Sequence, residues 1–127
     1  MKLTKRKTVD WEEYFCELTK ELDILAELEK YHTYIRHYVY VDNWAFEQKC
    51  LPIRMPGRTT GGIWIDDDNV ITKVEVDLDG CVIGKYPDDV NEKLQKYIGE
   101  KIEIVKSTTE NEDYGIYREY CDRKTNY

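Results

Sequence analysis

Apolar and polar residues alternate most cleanly over positions 63–77. Ile63, Trp64 and Ile65 make a short apolar run, and residues 66–69 make an Asp/Asn turn. Val70, Thr72, Val74 and Val76 then alternate with Ile71, Lys73, Glu75 and Asp77. A period of two, bounded by turn residues, reads as a β-hairpin with a half-buried second strand. Nearer the start the period lengthens. Trp11, Tyr14, Phe15, Leu18, Leu22, Leu25 and Leu28 recur at spacings of three and four, which predicts an amphipathic helix over 10–30. Asp10 with Glu13 fits a capping box, and Val9 with Tyr14 fits a hydrophobic staple.

Residues 31–41 alternate as a strand. Ile35, His37, Val39 and Val41 share one face; Tyr34, Arg36, Tyr38 and Tyr40 share the other. Asp42 and Asn43 mark a turn. Residues 44–51 read as a further strand ended by Pro52, and Pro52 with Pro56 predicts edge or loop backbone over 51–57. After the hairpin come a turn at 77–80 and a short strand at 81–84. Pro87 suits the first position of a helix whose apolar face is Val90, Leu94, Tyr97 and Ile98, with Gly99 as its C-terminal cap. Residues 101–106 alternate as a last strand. This order predicts an α+β fold: an N-terminal helix packed on an antiparallel sheet of about five strands, with a second short helix before the last strand. The chain divides into a basic N-terminal segment (1–8), a single domain (9–106) and a polar, Tyr-rich tail (107–127) that is flexible or ordered by a partner, which makes a homo-oligomer an option.

Charge narrows the function. A net charge of -7 repels phosphate backbones, so direct nucleic-acid binding is not expected. The 4 cysteines are scattered without a C-x-x-C pair, which predicts reduced thiols and a cytoplasmic location. No apolar run is long enough to span a membrane, and the basic start leads into an acidic amphipathic segment rather than a signal peptide. The charge is uneven, however. Over 30–65 the cations Lys30, Arg36, Lys49, Arg54 and Arg58 outnumber Asp42 and Glu47.

Inside that cationic stretch lies 54–62, rich in Gly, Arg and Thr. Read as a loop, it has the ingredients of an anion cradle. Gly61 and Gly62 let the backbone approach a ligand, Thr59 and Thr60 add hydroxyl donors, and Arg54 and Arg58 supply planar charged forks. It is not a Walker A loop, because no Lys-Ser or Lys-Thr follows the glycines and a strand stands where a helix should. Arg36 and Tyr38 on the tyrosine face, with Trp64, offer a stacking platform for a base. These nine residues are the candidate binding set, and the ligand they suit is a small anionic nucleotide-type molecule. No cofactor and no metal is expected. Glu75, Asp77, Asp79 and Gly80 start like an EF-hand loop, but Tyr86 stands where the bidentate Glu belongs. Nor is an enzyme expected: the chain has one serine, Ser107, and its two histidines, His32 and His37, point to opposite faces of the predicted strand.

In size and composition the chain resembles accessory proteins of phages and mobile elements of low-GC bacteria, among them anti-CRISPR, other anti-defence and immunity proteins. The resemblance implies a non-catalytic anti-defence protein. The leading expectation is sequestration of a nucleotide-type signal. The alternative is an acidic protein inhibitor, whose face of Glu12, Glu13, Glu17, Glu21, Glu27 and Glu29 and acidic turns over 66–89 dock on a basic nucleic-acid-binding surface of a host protein. A third option is a small subunit of a larger assembly.

Overall fold

The computed structural model describes residues 1–7, 12–25, 37–55, 57–77 and 86–105. Strands β1 (Lys2–Lys7) and β2 (Glu12–Phe15) precede helix α1 (Glu17–Leu25). Next come β3 (Tyr38–Val39), α2 (Asn43–Glu47), β4 (Cys50–Met55), β5 (Arg58–Ile65) and β6 (Ile71–Val76). Helix α3 (Val90–Leu94), a 3-10 turn (Gln95–Tyr97) and β7 (Glu103–Val105) complete the described chain. The seven strands form one sheet in the order β6-β5-β4-β3-β2-β1-β7. Every neighbouring pair is antiparallel except β1 and β7, which run parallel.

The two ends of this sheet meet. Val70, just before β6, bridges Lys101, just before β7. Backbone bonds from Ile71 N to Glu100 O, Gly99 N to Ile71 O and Ile102 N to Asn69 O, each 2.8 Å, fasten the contact. Further along β6, the outward groups are taken by side-chain amides of the segment that packs on it. Asn91 accepts from Val76 N and donates to Val76 O, both at 2.9 Å, and Gln95 Nε2 donates to Val74 O. An open strand edge is a template for unwanted pairing, and this one is covered along its length. The core lies inside the curved sheet. Leu3, Val39, Leu51, Ile53, Ile63, Ile71 and Val74 meet Leu18 and Leu22 of α1 and Val90 and Leu94 of α3, all buried.

Curvature comes from two register slips. Between β4 and β5 the pairing moves from Ile53↔Gly61 to Arg54↔Thr59, which leaves Thr60 as an extra residue. Between β5 and β6 it moves from Trp64↔Lys73 to Ile65↔Ile71, which leaves Thr72 extra. Such bulges bend a strand and increase its twist. At Gly61 the strands come closer than any other residue allows: a Cβ there would lie 2.2 Å from Glu75 O and 2.8 Å from Val76 Cα.

Several sequence expectations need correction. The helix over 10–30 is β2 followed by the shorter α1; positions 8–11 and 26–30 lie outside the described residues. Glu13 is not a capping residue but a buried strand residue. The cap of α1 is made by Thr19, whose hydroxyl accepts from Cys16 N and donates to Cys16 O, 2.9 and 2.8 Å. The basic N-terminal segment supplies β1 (Lys2–Lys7), which sits between β2 and β7 within the sheet. Of residues 44–51, those up to Glu47 belong to α2, 48–49 form a turn and only Cys50 and Leu51 are strand, the start of β4; α2 is capped by Asp42, whose side chain accepts from Ala45 N at 2.8 Å. Pro52 lies within β4. It is tolerated there because β3 has ended opposite it, and its carbonyl still accepts from Tyr40 N at 2.9 Å. The sheet has seven strands instead of five. The hairpin turn is as expected: Asp66 Oδ1 accepts from Asp68 N and Val70 N, and Asn69 takes a left-handed φ of 62°. The bulge at Thr72, though, makes Ile71, Val74 and Val76 the buried set, not Val70 and Thr72. The helix after Pro87 is present but short. The turn and strand over 77–84 and the 107–127 tail fall outside the described residues, apart from Asp77.

The close approach at Gly61 predicts that Gly61→Ala destabilises the fold by at least about 2 kcal/mol, because backbone atoms must move to admit the methyl group. Gly57, at φ +86° with open space around it, should cost only about 1–2 kcal/mol as alanine. Urea denaturation of the two variants, compared with the parent, checks the ranking.

Candidate functional site

The ladder registers sort the expected binding residues by face. Tyr38 pairs with Arg54, and Arg54 pairs with Thr59, so these three share the outer face, away from the core. Tyr40 continues that face opposite Pro52. Cys50, Trp64 and Lys73 line up across β4, β5 and β6 on the same side. Arg58 pairs with the buried Met55, one residue from Thr59, and so projects from the other side of the hairpin.

The cradle expected over 54–62 is therefore not a loop. Residues 54–55 and 58–62 belong to β4 and β5, whose backbone pairs with neighbouring strands, and Arg54 and Arg58 stand on opposite faces. Thr60 is buried, with its hydroxyl donating to Ile53 O at 3.3 Å. Gly61 permits the approach of β6, and Gly62 makes room for the ring of Trp64: a Cβ at Gly62 would come within 3.2 Å of that ring and 2.9 Å of Cys50 Sγ. Trp64 thus has one ring face against the sheet, and Lys73 Nζ lies 4.7 Å from its ring centre. Tyr38 is buried. Arg36 lies outside the described residues. Of the nine candidates, Arg54, Thr59 and Trp64 keep access to solvent on one face, and Arg58 stands apart.

Tyr40 and Trp44, not in that set, are exposed at 42% and 57%. A hydrogen bond to the Asp42 carboxylate raises the pKa of the Tyr40 hydroxyl, and the nearby Arg54 charge opposes the rise. Lys73 pairs with Glu75 at 3.4 Å and Lys49 with Asp67 at 3.7 Å. Arg54 and Arg58 make no ion pair among the described residues. The acidic helix face is also reduced. Glu13 is buried, and Glu21 is engaged by Lys96 at 2.9 Å and by the Tyr97 hydroxyl at 2.7 Å.

Two further constellations were not legible in the sequence. The first is a buried chain of Asp23, His37 and Tyr86. Asp23 Oδ1 accepts from His37 N at 2.8 Å and lies 2.6 Å from His37 Nδ1; His37 Nε2 lies 2.5 Å from Tyr86 Oη. With the proton placed on Nδ1, the ring donates to Asp23 and accepts from the Tyr86 hydroxyl. Such a chain could relay a proton, but all three residues are at most 1% exposed, so no substrate reaches it. It fastens α1, the start of β3 and the segment before α3 to one another.

The second is a groove of about 390 Å³ between β1, the start of α1 and the 3-10 turn, lined by Phe15, Cys16 and Tyr97 with Lys2, Glu17 and Glu100 at its rim. Burial pushes the Cys16 thiol up to about 11, the reverse of what a nucleophile needs. The lining has no histidine to act as a base. Cys16 and Cys50 are free thiols. Among the described residues no group of three or more His, Cys, Asp or Glu side chains could hold a metal ion, and no helix is long and apolar enough to cross a membrane. Set against protein-family models, curated proteins and solved structures, the chain gives no match.

Two tests follow from these buried groups. Tyr86→Phe removes only the hydroxyl that faces His37 Nε2, and should cost about 1–3 kcal/mol of stability in a urea titration. Cys16 carries a thiol raised from an ordinary 9.0 to about 11, so its stabilising effect is complete below pH 9 and lost as pH rises towards 11. That loss is worth about 2–3 kcal/mol. Tyr97, raised by burial and by Glu21, acts with the same sign above 10.0. Stability measured from pH 8 to 11 should therefore fall, and fall less steeply in Cys16→Ala.

Proposed function

We propose that the protein is a non-catalytic docking protein, a small accessory or inhibitory protein that acts by covering a surface of a protein partner with the outer face of β3–β6. One observation carries this reading. The residues expected to build a ligand pocket are taken up by the fold, and what remains at the surface is an open face bearing Tyr40, Arg54, Thr59 and Trp64. Small-molecule sites are concave and enclose most of their ligand. Tyr, Trp and Arg on an open face are the residue types that dominate binding energy between proteins.

Sequestration of a nucleotide-type signal is the second reading, because Tyr40, Arg54 and Thr59 share one face and could meet a base and a phosphate. A thermal-shift screen of linear, cyclic and NAD-derived nucleotides separates the two. The docking reading expects no nucleotide to raise the melting temperature, and Tyr40→Ala and Arg54→Ala to melt close to the parent. A ligand at 100 times its Kd adds about 2.7 kcal/mol, a shift of several degrees in a domain of this size. A shift of that size that vanishes in Arg54→Ala would replace docking by sequestration.

A further inference from the structure

The sign of the charge on this face points to the chemistry of what it meets. Among the described residues Asp42, Glu75 and the exposed Asp77 adjoin it, and the first two are engaged within the fold. Asp42 caps α2, and Glu75 pairs with Lys73. Lys73 in turn lies over Trp64, so the aromatic centre of the face already carries a cation. Arg54 is half-buried beside Tyr40 and has no carboxylate partner among the described residues, in a chain with 26 Asp and Glu against 19 Lys and Arg. A guanidinium on an aromatic face that has no ion pair among the described residues has a fork ready for a carboxylate or phosphate.

We infer that the outer face of β3–β6 docks an acidic segment of a protein partner, with Arg54 as the anchoring cation and Tyr40 and Trp64 as its apolar flanks. This rests on the docking reading and adds the partner's chemistry to it. A nucleic acid is the other polyanion a guanidinium could take. It extends many phosphates beyond the face, where the net charge of -7 repels them, whereas an acidic peptide segment presents a few carboxylates locally.

The test is an amide NMR titration of the full chain with an oligoglutamate peptide, an oligolysine peptide and an oligothymidylate, each used alone. Oligoglutamate should move the amides of Tyr40, Arg54, Thr59 and Trp64. Its binding should weaken about tenfold or more in Arg54→Glu, and also on raising the salt. Lys93→Glu, which changes a cation already paired with Asp89 at 3.3 Å, should leave it unchanged. Amide dispersion shows whether Arg54→Glu folds, and Arg54→Gln serves if it does not. Binding of oligolysine at this face overturns the acidic partner and leaves the docking face standing. Binding of oligothymidylate there overturns both the partner and the docking reading. Oligoglutamate that moves no amide of the face, or moves those of another surface, overturns the inference.

Discussion

Strand β5 lies against β6 at a distance that only a residue without a side chain allows. The backbone oxygen of Glu75 occupies the space a Cβ at position 61 would need. The rest of the sheet geometry builds on that contact. A bulge at Thr60 bends β5 just before it, and a bulge at Thr72 bends β6 after it. Together they curl the hairpin so that the start of β6 reaches the backbone of residues 99–102. Closure at that point leaves only the far half of β6 with open hydrogen-bonding groups, and Asn91 and Gln95 fill them from the packed helix segment. The position of α3 is thus a consequence of where β6 runs, and where β6 runs is a consequence of Gly61.

The Asp23–His37–Tyr86 chain has the corresponding role on the other side of the core. The cost of burying the imidazole is offset by a partner at each nitrogen, while on Asp23 both bonds to His37 fall on Oδ1. The histidine also accounts for a short strand. β3 has two residues, yet its start is fixed by the His37 N–H bonding to Asp23 as well as by the ladder to β4. That anchorage sets the register that puts Tyr38, Tyr40 and Arg54 on the outer face.

What the sequence made legible was local. The β5–β6 hairpin could be read because Asp66 and Asn69 supply their own turn chemistry, and α3 because Pro87 and Gly99 bracket it. The long N-terminal helix was misread for a physical reason: in Glu12–Phe15 a four-residue strand is too short to separate a period of two from one of three to four, and the leucines of α1 extend the helical pattern into it. Pro52 was read as a strand end on the premise that its missing N–H is needed, which fails where the neighbouring strand has stopped. The glycines of 61–62 are ambiguous in principle. Conformational freedom for a ligand loop and absence of bulk for close strand packing have the same one-letter signature, and only the partner strand decides between them. Alternation put His37 on the same face as Val39, so its burial was legible; its partners, 14 and 49 positions away, were not.

The same contacts that removed the expected pocket shaped the surface left behind. Trp64 cannot swing freely, because its ring rests over Gly62 while Lys73 lies over it. The backbone of Tyr40 is fixed by the bond from its N–H to Pro52 O, and the neighbouring Asp42 is fixed as the cap of α2. Arg54 lies beyond Tyr40 at one end of this row, between Tyr38 and Thr59 on a strand paired on both sides. A face whose aromatic groups are already ordered loses little side-chain entropy when a partner covers it, so more of each contact appears as affinity. Rigidity of that kind does not suit a pocket that must close round a small ligand. It suits a surface that meets another surface of matching shape, as in the docking role we propose, with Arg54 the cation at its margin.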